Sequence, residues 1–196
     1  MESYGGIILA AGSSRRFGED KRNLQLSSGH TMLEETIQTA SACLENLLVV
    51  LRYGDRAYAT QLEGNVANPS VRYYLAPDSA LGMAHSLANA IREVEDWQAA
   101  LIILGDLPFI QQSTYQAIVA QYLQSAADQP ILIPRFEGKA GHPVLFDHVY
   151  FAEISELQGD VGARSVVDAH RDRVIEIDVE DAGILQDIDL PEDLKT

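Results

Sequence analysis

The sequence predicts a single-domain α/β protein, one sheet layered with helices. Three observations predict it. Ile7-Ile8-Leu9, LLVVL at 47–51 and ALIIL at 100–104 are continuous apolar runs of strand length. Such runs suit parallel strands covered on both faces. Helix-like segments, apolar at every third or fourth position, alternate with them. No linker, repeat or low-complexity segment interrupts the 196 residues, a length that suits one domain with a full core.

The elements follow in order. Ile7-Ile8-Leu9 is the first strand, and it stops abruptly at small residues. Residues 32–44 read as a helix with Leu33, Ile37, Ala40 and Leu44 on one face. Thr31 is its expected N-cap, and Glu34 three residues on completes a capping box. Residues 47–51 form a central strand, 55–62 a helix and 71–75 a short strand. Residues 81–87 open a helix carrying Leu87, Ala90, Ile91 and Val94, and 100–104 is a second buried strand ended by Gly105-Asp106-Leu107-Pro108. Ser113 is expected to cap a helix bearing Tyr115, Ile118, Val119 and Tyr122. Residues 131–134 are strand-like, with Pro134 marking the end, 138–143 a loop and 144–146 a short strand. Gly159 to Arg164 precedes a helix reaching His170, 173–179 alternates as a strand, and 187–191 leads into a last helical turn. The stripe Ile37, Leu44, Leu87 and Ile91 is core.

Composition excludes several function classes. Fourteen basic residues stand against 29 acidic ones, a net charge of −15 that repels nucleic acid and anionic membranes. Cys43 is the single cysteine, expected on a helix as a small apolar residue, so no disulfide framework forms within the chain. There is no basic, apolar leader and no apolar stretch of spanning length, and the expected location is the cytoplasm. Against the acidic background, Arg15, Arg16, Lys21 and Arg22 fall within eight positions, which an anionic ligand would explain.

The stretch GGIILAAGSSRRFGEDK, Gly5 to Lys21, carries the chemistry. Ala10, Ala11, Gly12, Ser13 and Ser14 have little side-chain bulk, so a ligand can meet a row of main-chain N–H groups. Arg15, Arg16 and Lys21 follow with cations, an arrangement that suits a polyphosphate. A solvated Gly/Ser loop is an equal reading of the loop alone. It is not a P-loop, lacking G-x-x-x-x-G-K-[ST], nor a dinucleotide fingerprint, lacking G-x-G-x-x-G. Asp106 closes an apolar strand and is a natural Mg²⁺ ligand, since magnesium takes one or two carboxylates and completes its shell with phosphate and water. An isolated G-D-x-P more often caps a turn. Ligands of open parallel sheets bind beyond the carboxyl ends of the strands. Gly12 and Asp106 should therefore open on one edge. Gly82 would let something flat lie on the backbone, with Ser86 adding a hydroxyl, although the segment also reads as a plain helix start. His142, between glycine and proline, can donate a hydrogen bond to a phosphate. Asp160 and Arg164 can hold a second anion, or Asp160 can be an N-cap.

Leu9, Ala10, Ala11, Gly12, Ser14, Arg16, Gly18 and Lys21 fit L-A-A-G-x-S-x-R-x-G-x-x-K, eight fixed positions in thirteen. This resembles the signature loop of the sugar-activating nucleotidyltransferases, and more closely that of the molybdenum-cofactor nucleotidyltransferases, the cytidylyltransferases and the molybdopterin-guanine dinucleotide synthases. G-M-A-H-S-L, G-H-P-V-L-F, G-D-V-G-A-R and the ending D-I-D-L-P-E-D-L are similar to segments of the cytidylyltransferase branch, in the same order. Leu190 stands where threonine is usual there, and Ser27-Ser28-Gly29-His30 has no assigned role.

The resemblance implies a Rossmann-like, three-layer nucleotidyltransferase fold with a mostly parallel sheet over residues 1–196. It implies a magnesium-dependent transfer of CMP from CTP to the terminal phosphate of the molybdenum cofactor, with release of pyrophosphate. Lys21, Arg16 and Asp106 would be catalytic, with Asp106 the magnesium ligand. The nucleotide would be held by Leu9, Ala10, Ala11, Gly12, Ser13, Ser14, Arg16, Lys21, Gly82 and Ser86. The pterin would meet His142, Asp160, Arg164 and Asp189, Asp189 being also a loose second candidate near the metal. Ala11, where the guanylyl branch has glycine, favours CTP over GTP. A GTP-dependent guanylyltransferase and a sugar-phosphate nucleotidyltransferase remain alternatives. From another class, so does a non-catalytic nucleotide- or cofactor-binding chaperone. The implied partners are CTP or GTP, a molybdopterin-type cofactor, and a recipient molybdoenzyme or its chaperone.

Overall fold

A computed structural model describes residues 4–12 and 20–188. In order, the elements are β1 (Tyr4–Leu9), α1 (Met32–Ser41), β2 (Leu47–Arg52), α2 (Arg56–Asn65), β3 (Val71–Ala76), α3 (Met83–Arg92), β4 (Ala99–Leu104), α4 (Gln112–Ser125), β5 (Ile131–Phe136), β6 (Lys139–Ala140), β7 (Val144–Asp147), α5 (Phe151–Ser155), α6 (Arg164–Ala169) and β8 (Val174–Asp178). Among the described residues the strands form one sheet in the order β3-β2-β1-β4-β7-β5-β6, with β8 on the other side of β5. β3, β2, β1 and β4 run parallel, and β8 runs parallel to β5. β7 is antiparallel to both β4 and β5, and β6 is antiparallel to β5.

The three layers follow from the alternation of side chains along each strand. Ile8, Val49, Leu101 and Ile103 face α1, α2 and α4, through Leu33, Ile37, Leu62, Tyr115 and Ile118. Ile7, Leu48, Val50, Ala100 and Ile102 face α3, α5 and α6, through Leu87, Ile91, Phe151, Ile154 and Val166. The four residues of the expected stripe are all core, on two faces of the sheet. Ile37 and Leu44 lie under one face, Leu87 and Ile91 under the other.

The chain runs β1, β2, β3 outward on one side, then returns to place β4 against the other side of β1. The strand order reverses between β1 and β4, so the loops leaving their carboxyl ends diverge and open a crevice. β1 and β4 pair in register from Tyr4 with Ala99 to Leu9 with Leu104. Gly105 N–H then donates to Leu9 O at 3.0 Å. The loops carrying Gly12 and Asp106 thus leave the sheet side by side, on the single edge expected.

Several local expectations are revised. Thr31 and Glu34 do form the capping box of α1, Glu34 Oε2 accepting from Thr31 N at 2.8 Å. Cys43 lies in the turn after that helix, not on it. Ser113 does not cap α4. The N-cap is Gln111, without a side-chain bond of its own, and Asp181 from the far end of the chain accepts from Gln111 N at 2.8 Å and from Thr114 Oγ1 at 2.6 Å. β5 continues through Pro134 to Phe136. Proline is tolerated because β7 pairs Ile131 and Leu132 while β6 pairs Arg135 and Phe136, which leaves a break in the ladder at Pro134. Part of the loop expected at 138–143 is strand β6. Residues 79–81 form a separate 3-10 turn, and α3 begins only after Gly82.

Candidate functional site

A cleft of about 840 Å³ opens at the carboxyl ends of β1, β2 and β4. Leu9, Ala10, Ala11, Gly12, Lys21, Gly82, Ser86, Asp106 and Asp160, nine of the expected site residues, line it. Ser13, Ser14, Arg16 and Asp189 fall outside the described residues.

The loop after β1 is bare, as its composition requires. Gly12 lies where an added Cβ would meet nothing within 4 Å, so its missing side chain serves no contact within the described protein. The space beyond it is the cleft. Lys21 opens a 3-10 turn, Lys21–Asn23, started by Asp20, whose carboxylate accepts from Arg22 N at 3.3 Å. From this turn Lys21 reaches the cleft. Its Nζ donates to Asp106 Oδ2 at 2.7 Å and to Ile188 O at 3.3 Å. Asp106 is further held by its main chain, since Ile188 N–H donates to Asp106 O at 3.1 Å. Both side chains are mostly enclosed, at 17% and 26% exposure, so each keeps a face toward the cleft.

Three residues have structural parts that the sequence did not show. Gly82 has φ +124°, and a Cβ there would collide with Asp160 Oδ1 and the Gly159 carbonyl. The turn packed on it requires the glycine, and the same residue lines the cleft. Ser86 is buried and its hydroxyl donates to Gly82 O at 3.3 Å. Arg22, grouped by sequence with the phosphate cations, is spent internally. Its guanidinium meets Asp20 at 2.6 Å and Asp55 at 2.6 Å. Burial opposes that charge, yet the bonds to Asp20 and Asp55 hold Arg22 above its ordinary range. Burial likewise works to raise Asp20, but hydrogen bonds and charge from Arg22, with the charge of Arg52, hold its carboxyl below the usual value.

The remaining candidates are scattered. His142 is not in the cleft lining. The residue is partly exposed, but its Nδ1 is buried and without a hydrogen-bond partner, and its main-chain N–H donates to Ile184 O at 3.1 Å. Burial holds its pKa below the ordinary 6.5, although a main-chain bond at Ile102 and the charge of Asp106 oppose this. Asp160 lines the cleft but caps no helix, because α6 starts from Ala163 without a side-chain bond. Arg164 stands in solvent, 3.9 Å from Asp168 and away from the cleft. Sequence reading missed Arg52, Tyr53 and Ser79, which also line the cleft. Their signal was positional: Arg52 is the last residue of β2, and strand ends on this edge face ligand.

The donor chemistry suits a hard divalent cation that brings its own ligands. Asp106 offers a single carboxylate, and no cluster of three or more His, Cys, Asp or Glu able to hold a metal exists among the described residues. Such a site fits magnesium shared with phosphate oxygens and water, not an all-protein cage. No helix among the described residues is long and apolar enough to cross a membrane.

Comparison with known proteins agrees with this geometry. The sequence profile of a family described as "MobA-like NTP transferase domain" matches residues 6–174. Purine catabolism protein PucB of Bacillus subtilis is 29% identical over 196 residues, 96% of this chain and 92% of that protein. Bifunctional protein GlmU of Ruthia magnifica subsp. Calyptogena magnifica is 30% identical over 126 residues, 64% of this chain but 27% of that protein. The crystal structure of Rv0371c from Mycobacterium tuberculosis superposes with a TM-score of 0.79 at 25% identity, covering 100% of this chain and 97% of that one.

Proposed function

This chain belongs to the MobA-like NTP transferase family and is a nucleotidyltransferase, and from that premise we propose that it transfers CMP from CTP to the terminal phosphate of a molybdenum cofactor, releasing pyrophosphate. The observation that carries the reading is the juxtaposition of Lys21 and Asp106, 2.7 Å apart, in the same cleft as the bare loop Ala10–Gly12. Cation, carboxylate and main-chain donors are the parts that phosphoryl-type transfer needs, since its catalysis is positioning and charge stabilisation without a covalent intermediate.

Each residue has a stated part. The loop from Ala10 to Gly12 accepts the triphosphate against its backbone. Gly12 leaves room for phosphate oxygens where a side chain would stand. Lys21 donates to the triphosphate and offsets the negative charge that grows on the leaving pyrophosphate. Asp106 would hold the magnesium ion, which when bound withdraws charge from the phosphoryl oxygens. A phosphate nucleophile has no proton to lose at the moment of attack. His142, which does not line the cleft, is therefore not needed as a base. The choice of cytosine rests on Ala11, and that of the pterin acceptor on the GHPVLF and GDVGAR segments.

The test is pyrophosphate release with CTP or GTP, magnesium and the cofactor. Release with CTP well above GTP is expected. Preference for GTP would move the chain to the guanylyl branch, and nucleotide binding without release would make it a carrier. Asp106→Asn should abolish release by a factor of about 10² or more while leaving the melting temperature within a few degrees. Full activity in that variant would remove Asp106 from the mechanism.

A further inference from the structure

A cluster of charges beside the loop has no part in the mechanism above. Arg22 Nη1 donates to Ala10 O at 3.0 Å. Its other donors go to Asp20 and Asp55, and its guanidinium carbon lies 4.6 Å from the centre of the Tyr58 ring. Arg52, at the end of β2, donates through Nη2 and Nε to Gly12 O at 2.7 and 3.1 Å and comes within 3.4 Å of Asp20. Asp55 in turn accepts from Arg52 N at 3.1 Å. Two guanidinium groups and two carboxylates cancel, so this cluster offers no excess positive charge to an anion. What it grips is the two carbonyls of the bare loop.

We infer that Arg22 and Arg52 are positioning residues that preset the triphosphate loop by holding the carbonyls of Ala10 and Gly12. A trans peptide is planar, so a carbonyl and the N–H that follows it point to opposite sides. With Ala10 O drawn to Arg22, the Ala11 N–H is turned away from the cluster and presented to the phosphates. The Ala10 N–H is itself committed to Val50 O at 2.9 Å, so both peptide planes flanking Ala10 are fixed. Alanine and glycine have almost no side chain with which to hold a loop's shape, and an unheld loop must be ordered on binding at a cost in affinity. The planar guanidinium carries its donors in a fixed fork, so Arg22 grips the Ala10 carbonyl and two carboxylates at once in a geometry that the single nitrogen of a lysine does not reproduce.

The inference rests on the triphosphate reading, and its test separates the two. The probe is inorganic tripolyphosphate, titrated by calorimetry well below the unfolding transition, into the wild-type chain and into Arg22→Lys and Arg52→Lys. Both variants keep the charge and lose the fork. Each is expected to bind roughly tenfold more weakly, to show a shifted and faster-exchanging Ala11 amide resonance, and to raise KM for the nucleotide about tenfold with kcat nearly unchanged. Should Arg22→Lys fail to fold, Arg52→Lys, on the more exposed side chain, carries the test alone. Wild-type binding matched by both variants would overturn the positioning role and leave the function standing. A fall in kcat without a rise in KM would also overturn it. Absence of tripolyphosphate binding by the wild-type chain would overturn the function, and the inference with it.

Discussion

Two glycines on the cleft wall are present for opposite reasons, and substitution separates them. Gly12 has open space where a Cβ would stand and no left-handed φ. Gly12→Ala should leave unfolding free energy within about 0.5 kcal/mol of wild type and, on the proposed function, weaken nucleotide binding, because the new methyl meets no described protein atom within 4 Å and Gly12 lines the cleft. Gly82 sits at φ +124° with the Gly159-Asp160 turn pressed against it. Gly82→Ala should cost about 1–3 kcal/mol in urea unfolding, from backbone strain and displacement of that turn. Composition marked both glycines as places of close approach, but which neighbour approaches is a tertiary fact. The same limit applies to Arg22. A basic residue next to a phosphate motif reads as a phosphate ligand until its partners Asp20 and Asp55, one of them 33 positions away, are seen.

At the scale of elements, the run from Asp181 to Ile188 connects the start of α4 to the site. Asp181 is 2% exposed and accepts three bonds, from Gln111 N, Thr114 Oγ1 and Gly183 N. Ile184 O and Ile188 N then serve His142 and Asp106. Asp181→Ala leaves those donors unsatisfied and should lower stability by about 1–3 kcal/mol in denaturant titration. It should also lower turnover more than a comparably destabilising core variant such as Ile118→Val, because the Ile188 contacts with Asp106 and Lys21 loosen. Equal turnover losses would show that the segment is only structural. None of this was legible beforehand. Ser113 has the right residue type and place for a cap, whereas Asp181 lies 70 positions from the helix it caps. Elements with local signatures were readable: the α1 capping box, the apolar runs of β2 and β4, and the apolar face of α3. The continuation of β5 through Pro134 and the pairing of β6 depend on partners brought by the fold.

Across the whole molecule, the apolar runs implied that the loops at Gly12 and Asp106 open on one edge, and the switch in strand order between β1 and β4, which the runs did not reveal, puts both on one rim. The antiparallel β7, inserted between β4 and β5, left no trace in residue pattern, since a four-residue buried strand reads alike in either direction. The fold also sets a response to acid. His142 takes up its proton less readily when buried than at its ordinary 6.5, so the unfolded chain binds a proton that the fold refuses. Stability should therefore fall as pH drops through about 6.5 and level off below the folded value. His142→Gln should remove this first decline from a plot of melting temperature against pH. Asp20 and Glu34 have the opposite protonation chemistry and the same direction of effect. Burial would raise both, but Arg22 holds Asp20 below 3.8, and the Thr31 main chain with Asn65 holds Glu34 below 4.5. Their stabilisation is present at neutral pH and is lost in a second decline below those values.

Lys21 touches Asp106 across 85 positions and Ile188 across 167. During translation, the segment bearing Lys21 emerges long before either companion has been synthesised. Nascent chains and proteolytic fragments that stop short of Ile188 carry the signature motif without its counterparts, so they should neither capture nor consume nucleotide. Competence arrives only when Asp106 and Ile188 have both docked against Lys21, so the motif waits on residues made much later.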